Sequence, residues 1–200
     1  MTDLLPSLPA AFVTSVLAAL LSGAVWNDIR HYRIPNRLVL AGVAMGLLLN
    51  SFLPEGNGFA DAMPGALGIA KALAGMGLGL GLLLPLYLLR AMGAGDVKLM
   101  AMIGAFLGPQ AIVGVVLLTF AIGGALSVGY SLHRKSLTKM MGNVSTMVKT
   151  GVFRVMFFKE MPILEAPAVS AGKLPYGIAI GAGTIAYFVL IRTTEIFKLF

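Results

Sequence analysis

The sequence predicts an all-α integral membrane protein, one domain over residues 1–200 with about six transmembrane helices and a cytoplasmic amphipathic segment. Three observations point there. Charged residues make up only 12% of the chain, roughly half the share of a soluble domain. Hydrophobic residues make up 58%, and mean hydropathy is +0.91. The apolar residues also fall into blocks separated by polar loops, and each membrane span needs about 20 of them.

The elements follow in order. The N-terminus has no basic leader region and carries Asp3. Its first apolar block, Leu8 to Trp26, therefore reads as a transmembrane helix rather than a cleaved signal peptide. The polar loop NDIRHYRIPNR precedes a second helix, about Pro35 to Leu53, with Pro35 suited to the first helical turn. The loop PEGNGFADAMPG leads to a third helix, about Leu67 to Leu89. A fourth run, Val97 to Leu107, is broken by Gly108-Pro109, and a fifth covers Ala111 to Leu132. A sixth, Pro175 to Ile191, closes the bundle. At eleven residues the fourth run is too short to span alone. It must run past Pro109, be shielded by its neighbours, or sit where the bilayer is thin.

Charge orients the bundle. With the N-terminus outside, 12 of the 15 Lys and Arg fall on the inner side, leaving Lys71, Arg192 and Lys198 outside. That asymmetry fits a multi-pass protein of the inner (plasma) membrane, with six spans and both termini outside. It also accounts for the net charge of +7 without a nucleic-acid partner. Residues 133–174 form the longest inner loop. Within it Leu137, Met140, Met141, Val144, Met147, Val148, Val152, Val155 and Met156 fall near helical spacing among basic residues. They read as an amphipathic helix on the inner leaflet, either a connector or a docking surface. Small-residue pairs at Gly42/Gly46, Gly75/Gly79, Gly77/Gly81, Gly104/Gly108 and Gly177/Gly181 suit close helix packing.

The acidic residues are few, and two stand apart. Asp28 follows the first span and Asp96 opens the fourth, so both lie at the inner membrane border. Brought close, two carboxylates share one proton. The ionised one can take a proton from water and the protonated one can donate to a peptide bond, which hydrolyses an amide without a metal or cofactor. Gly93 and Gly95, just before Asp96, would give a bare backbone that a substrate strand can approach. Taken singly, the same aspartates read as a helix cap and as a polar helix end paired with Arg30 or Arg33.

These residues resemble a known family. GAGDVKLMAMIGAFLG looks like the GxGD motif of type IV prepilin peptidases, which are membrane aspartic proteases. DIRHYRIPN is similar to the family's first-aspartate motif, and KLPYGIAIG to the Pro-aromatic-Gly opening of its last conserved helix. The three motifs run in family order from Asp28 to Gly181. The resemblance implies that Asp28 and Asp96 are the catalytic pair, with Gly93 and Gly95 shaping the loop and Lys98 in the motif's lysine position. It implies cleavage of a short basic leader from a pilin-like precursor, just before the precursor's hydrophobic helix, with the active site facing the cytoplasm. Larger members carry a cysteine-containing segment and also methylate the new N-terminus. This chain has no cysteine, so it resembles the short members, associated with Flp-type or archaeal pili, and methyltransferase activity is not expected.

The remaining polar residues have plainer readings. Lys98 is either a substrate contact or an interfacial anchor. Asn36 either caps the second helix or bonds near Asp28. His31 and His133 are the two histidines, and no ligand cluster accompanies them, so no metal site is expected. The expected partners are the precursor and the lipid bilayer, with the oligomeric state open. A rival reading makes Asp28 and Asp96 proton or cation sites of a small transporter.

Overall fold

The computed structural model describes residues 8–60, 65–133 and 175–198, together with Gly142 and Ser145. Five helical elements appear among them: α1 (Leu8–His31), α2 (Asn36–Phe52), α3 (Ile69–Leu88), α4 (Ala94–His133) and α5 (Tyr176–Lys198). One isolated bridge, Glu55 to Ala66, pins the α2–α3 loop. Among the described residues, three stretches are long and apolar enough to cross a membrane: Ala10–His31, Ile69–Leu88 and Ala94–Tyr130. Asn36–Phe52 and Tyr176–Ile191 are shorter apolar helices. The amphipathic segment expected from Leu137 to Met156 lies outside the described residues, apart from Gly142 and Ser145.

Helix boundaries differ from expectation where they matter most. α1 runs past Trp26 to His31, which puts Asp28 on the helix rather than in the loop after it. Nothing in Asn27–His31 breaks a helix. The stop comes at Tyr32, whose N–H still reaches the Asp28 carbonyl at 2.8 Å while its φ of 51 turns the chain left-handed. α4 likewise starts at Ala94 rather than Val97, so Asp96 stands in its first turn.

The expected fourth and fifth spans are joined in α4, which leaves helical geometry at Gly108 (φ 80, ψ 179) just before Pro109. There the chain folds back. A methyl group on Gly79 of α3 would lie 2.6 Å from the Met100 carbonyl oxygen and 3.2 Å from Cγ1 of Ile112. In a straight helix Met100 and Ile112 would stand about 18 Å apart. Meeting one point on α3 requires the two arms of α4 to lie antiparallel.

That reversal settles how the short run is accommodated. Every residue from Leu99 to Gly108 is buried, so the first arm is shielded on all sides by its neighbours. A helix apolar all round belongs inside a bundle. The surrounding helices, by contrast, also turn apolar residues outward, with Phe52 82% exposed and Leu40 71%. Glycine lets the arm sit this deep. Gly42 faces Met102, Gly46 faces Ala105 and Phe106, and the backbones of Gly75 and Gly104 meet directly. The Gly77/Gly81 pair does not pack: no atom lies within 4 Å of a methyl at either position, because both point away from the first arm.

Asn50 holds the turn from the side. It is 1% exposed, and its Nδ2 donates to the carbonyls of Gly46, Ala105 and Phe106 at 3.1, 3.0 and 3.2 Å. Its Oδ1 accepts the Leu67 N–H at 2.9 Å. One amide thereby satisfies carbonyls that the break at Gly108 would otherwise leave unpaired.

Candidate active site

The end of α1 and the starts of α2, α4 and α5 come together at one end of the bundle, and the polar motif residues meet there. Asp28, in the last turn of α1, is 6% exposed. Its Oδ2 accepts the backbone N–H of Gly177 at 2.8 Å. Gly177 is the second residue of α5, where helix N–H groups have no partner within the helix and the dipole end is positive. A methyl on Gly177 would lie 2.8 Å from the same oxygen and 3.2 Å from Asp28 Cβ. Only glycine lets α5 approach the carboxylate this closely.

Asp96 is the third residue of α4. Its Oδ2 accepts the Gly93 N–H at 3.2 Å, and its own N–H bonds the Gly93 carbonyl at 3.2 Å. The side chain therefore reaches back to the residue before the helix, as the third residue of a capping box does. Gly95 lies within the helix, and a methyl there would sit 3.2 Å from Cβ of Ile34. Its bareness is taken up by the loop after α1, which packs against it.

Through Gly95 and Ile34 the start of α4 packs against the loop that follows Asp28, so both carboxylates stand at this end of the bundle. Tyr176, the first residue of α5, adds a phenol ring there. That ring rests on the second arm of α4, where a methyl on Gly123 would be 3.0 Å from the Tyr176 oxygen. Tyr176 and Gly177 are site residues that the sequence offers only as part of the Pro-aromatic-Gly helix opening and, for Gly177, as one of a helix-packing pair with Gly181. The signal was present in PYG: a proline that ends a loop, then a glycine with a free N–H at a helix start.

Lys98 and Asn36 also meet. The Lys98 ammonium donates to Asn36 Oδ1 at 3.1 Å. Asn36 therefore does not cap α2. The N-cap is Pro35, without a side-chain hydrogen bond, and Asn36 as first helical residue turns its amide outward to the lysine. Arg30 stacks over the Trp26 ring, 4.2 Å from its centroid, and among the described residues it makes no ion pair with Asp28. No group of three His, Cys, Asp or Glu side chains that could hold a metal gathers among the described residues.

Each aspartate thus has Oδ2 held by a backbone N–H, and its Oδ1 takes no hydrogen bond among the described residues. The backbone thereby fixes both side chains and leaves one oxygen of each open to water or substrate.

Comparison with known proteins bears on the same residues. A family model described as the type IV leader peptidase family matches residues 15–128, an interval that contains Asp28, Asn36, Asp96 and Lys98. Two curated proteins from Aeromonas salmonicida, one of them from strain A449, are both named prepilin leader peptidase/N-methyltransferase. Each is 33% identical to the chain over 137 residues, covering 64% of this chain and 41% of the relative. The match therefore spans about two fifths of the length of these relatives. No solved structure matches significantly.

Proposed function

The chain belongs to the type IV leader peptidase family, and from that premise we propose that it is a membrane aspartic endopeptidase. Its substrate would be a prepilin-like precursor, from which it removes the short basic leader at the cytoplasmic membrane face. Asp28 and Asp96 are the catalytic pair. The observation that carries this reading is that the start of α4, which bears Asp96, packs through Gly95 against Ile34 in the loop that follows Asp28, so α1 and α4 bring both carboxylates to one end of the bundle.

The chemistry follows from the pair. One carboxylate is ionised and the other holds the shared proton. The ionised one takes a proton from water as the water oxygen bonds to the scissile carbonyl carbon. The protonated one gives its proton to the carbonyl oxygen. The tetrahedral centre then collapses: one of its two hydroxyls returns a proton to the second carboxylate as its C=O forms, the C–N bond breaks, and the leaving amine takes up the proton gained from water. The pair returns to its starting charge, releasing a new carboxylate and a new N-terminal amine.

The topology proposed with it has six spans, counting the arms of α4 separately, with the carboxylates facing the cytoplasm. The excess of Lys and Arg on that side supports this orientation. The proposal covers the peptidase step alone, without methyl transfer, and places the chain with the short, Flp-type members. The transporter reading is less well supported, because the carboxylates stand at helix ends rather than along a path through the bundle.

The test is co-expression with a tagged Flp-type prepilin, following its size on a gel. Wild type should shorten the precursor. Asp28→Asn and Asp96→Asn should each leave it uncut at equal expression. Cleavage by either variant would remove the paired-carboxylate mechanism.

A further inference from the structure

A groove of about 830 Å³ runs along the outside of the bundle between α1 and α5. On α1 its wall extends from Thr14 to Ile29, and on α5 from Ile178 to Val189. The α1 wall is about 22 Å long at helical rise, most of the roughly 30 Å apolar thickness of a bilayer. Its hydroxyls are spoken for. Thr14, Ser15, Ser22 and Thr184 all bond carbonyls of their own helices, so none of them projects an unmet group into the groove. Ala18, Ser22, Gly181 and Ala182 keep its walls low, which suits a close-packed helix.

One end of this groove lies at the candidate active site. Val25 and Ile29 flank Asp28 on α1, and Ile178 directly follows the glycine whose N–H holds the Asp28 carboxylate. We propose that the groove seats the apolar helix of the precursor, so that the segment just before that helix lies across Asp28 and Asp96. The proposal rests on the peptidase reading above and deepens it. An acyl chain would fill the same volume but would gain nothing from the site at its end. A helix with a scissile bond beside it uses both the length of the groove and where it stops. Since the leader precedes the helix, the helix would begin at the Asp28 end and run antiparallel to α1.

A photo-crosslinking residue placed at Ala18 or Ser22 tests this in wild-type background, with full-length protein and tagged prepilin in the same membrane. Leu40, exposed on α2, is the control position. The expected result is a precursor adduct from Ala18 and Ser22 and none from Leu40. Ala18→Phe should also raise the KM for the membrane-embedded precursor about tenfold by overpacking the groove, while Leu40→Phe leaves it unchanged. Adducts between two copies of this chain, or no groove adduct while the precursor is still cleaved, would overturn the groove assignment and leave the peptidase reading standing. Absence of cleavage by the unmodified protein would instead remove the reading on which it rests.

Discussion

Lys98 and Asn36, 62 residues apart in sequence, are joined by a 3.1 Å hydrogen bond from ammonium to amide oxygen. The bond ties the first turn of α2 to the second turn of α4, next to the turn that carries Asp96. It is exposed, so its worth to stability is small, but it sets where two helix starts stand relative to each other. Lys98→Ala and Asn36→Ala are each expected to slow prepilin cleavage with little change in melting temperature. In a double-mutant cycle the two should be non-additive, with a coupling of about 0.5–1.5 kcal/mol. Fully additive effects on cleavage would show that the pair does not act as a unit.

Gly177→Ala should strike the site itself. The added methyl would lie 2.8 Å from the Asp28 carboxylate oxygen, which must move or lose its N–H partner. A displacement near 1 Å at a reacting group can cost about 100-fold in rate. We expect cleavage to fall by about that factor at normal expression, read as initial rate on the precursor. Retained activity would mean that the Gly177 contact is dispensable.

The two glycine registers on α3 give opposite expectations. A methyl on Gly75 would sit 2.7 Å from Gly108 Cα, and backbone cannot step aside as a side chain can. Gly75→Ala should therefore sharply lower the yield of folded protein. Gly77→Ala meets no atom within 4 Å and should be neutral, or stabilising by up to about 1 kcal/mol through helix preference. Size-exclusion profile and melting temperature in detergent read both.

Asn50→Leu keeps the volume and removes the hydrogen bonds. It strands the buried carbonyls of Ala105 and Phe106 at the end of the first arm of α4. The expected loss is about 1–3 kcal/mol, the desolvation cost of buried groups left unpaired, read as a lower melting temperature. An unchanged melting temperature would mean that the turn at Gly108 does not depend on Asn50.

Much of this was legible from residues alone, and the particulars show where legibility stops. The break at Gly108-Pro109 could be read because a proline with no N–H behind a glycine interrupts any helix. The shielding of Val97–Leu107 could be stated only as one of three options, since the neighbours that provide it come from α2 and α3. Boundaries at Trp26 and Val97 were misplaced because hydropathy fades before the helix does. Polar residues such as Asp28 and Arg30 continue α1 beyond its apolar block.

The amino-acid sequence by itself determined the membrane class, the apolar blocks and the candidate pair Asp28 and Asp96. Those properties depend on composition and on local order along the chain, which are present before folding. Tertiary structure alone decided that α4 folds back against α3, that Asn36 serves Lys98 rather than its own helix, and that Gly177 delivers its N–H to Asp28 from 149 residues away. Each of those depends on how closely two distant backbones can approach. That closeness is set by the glycines between them, and no local pattern in either segment specifies which partner will come.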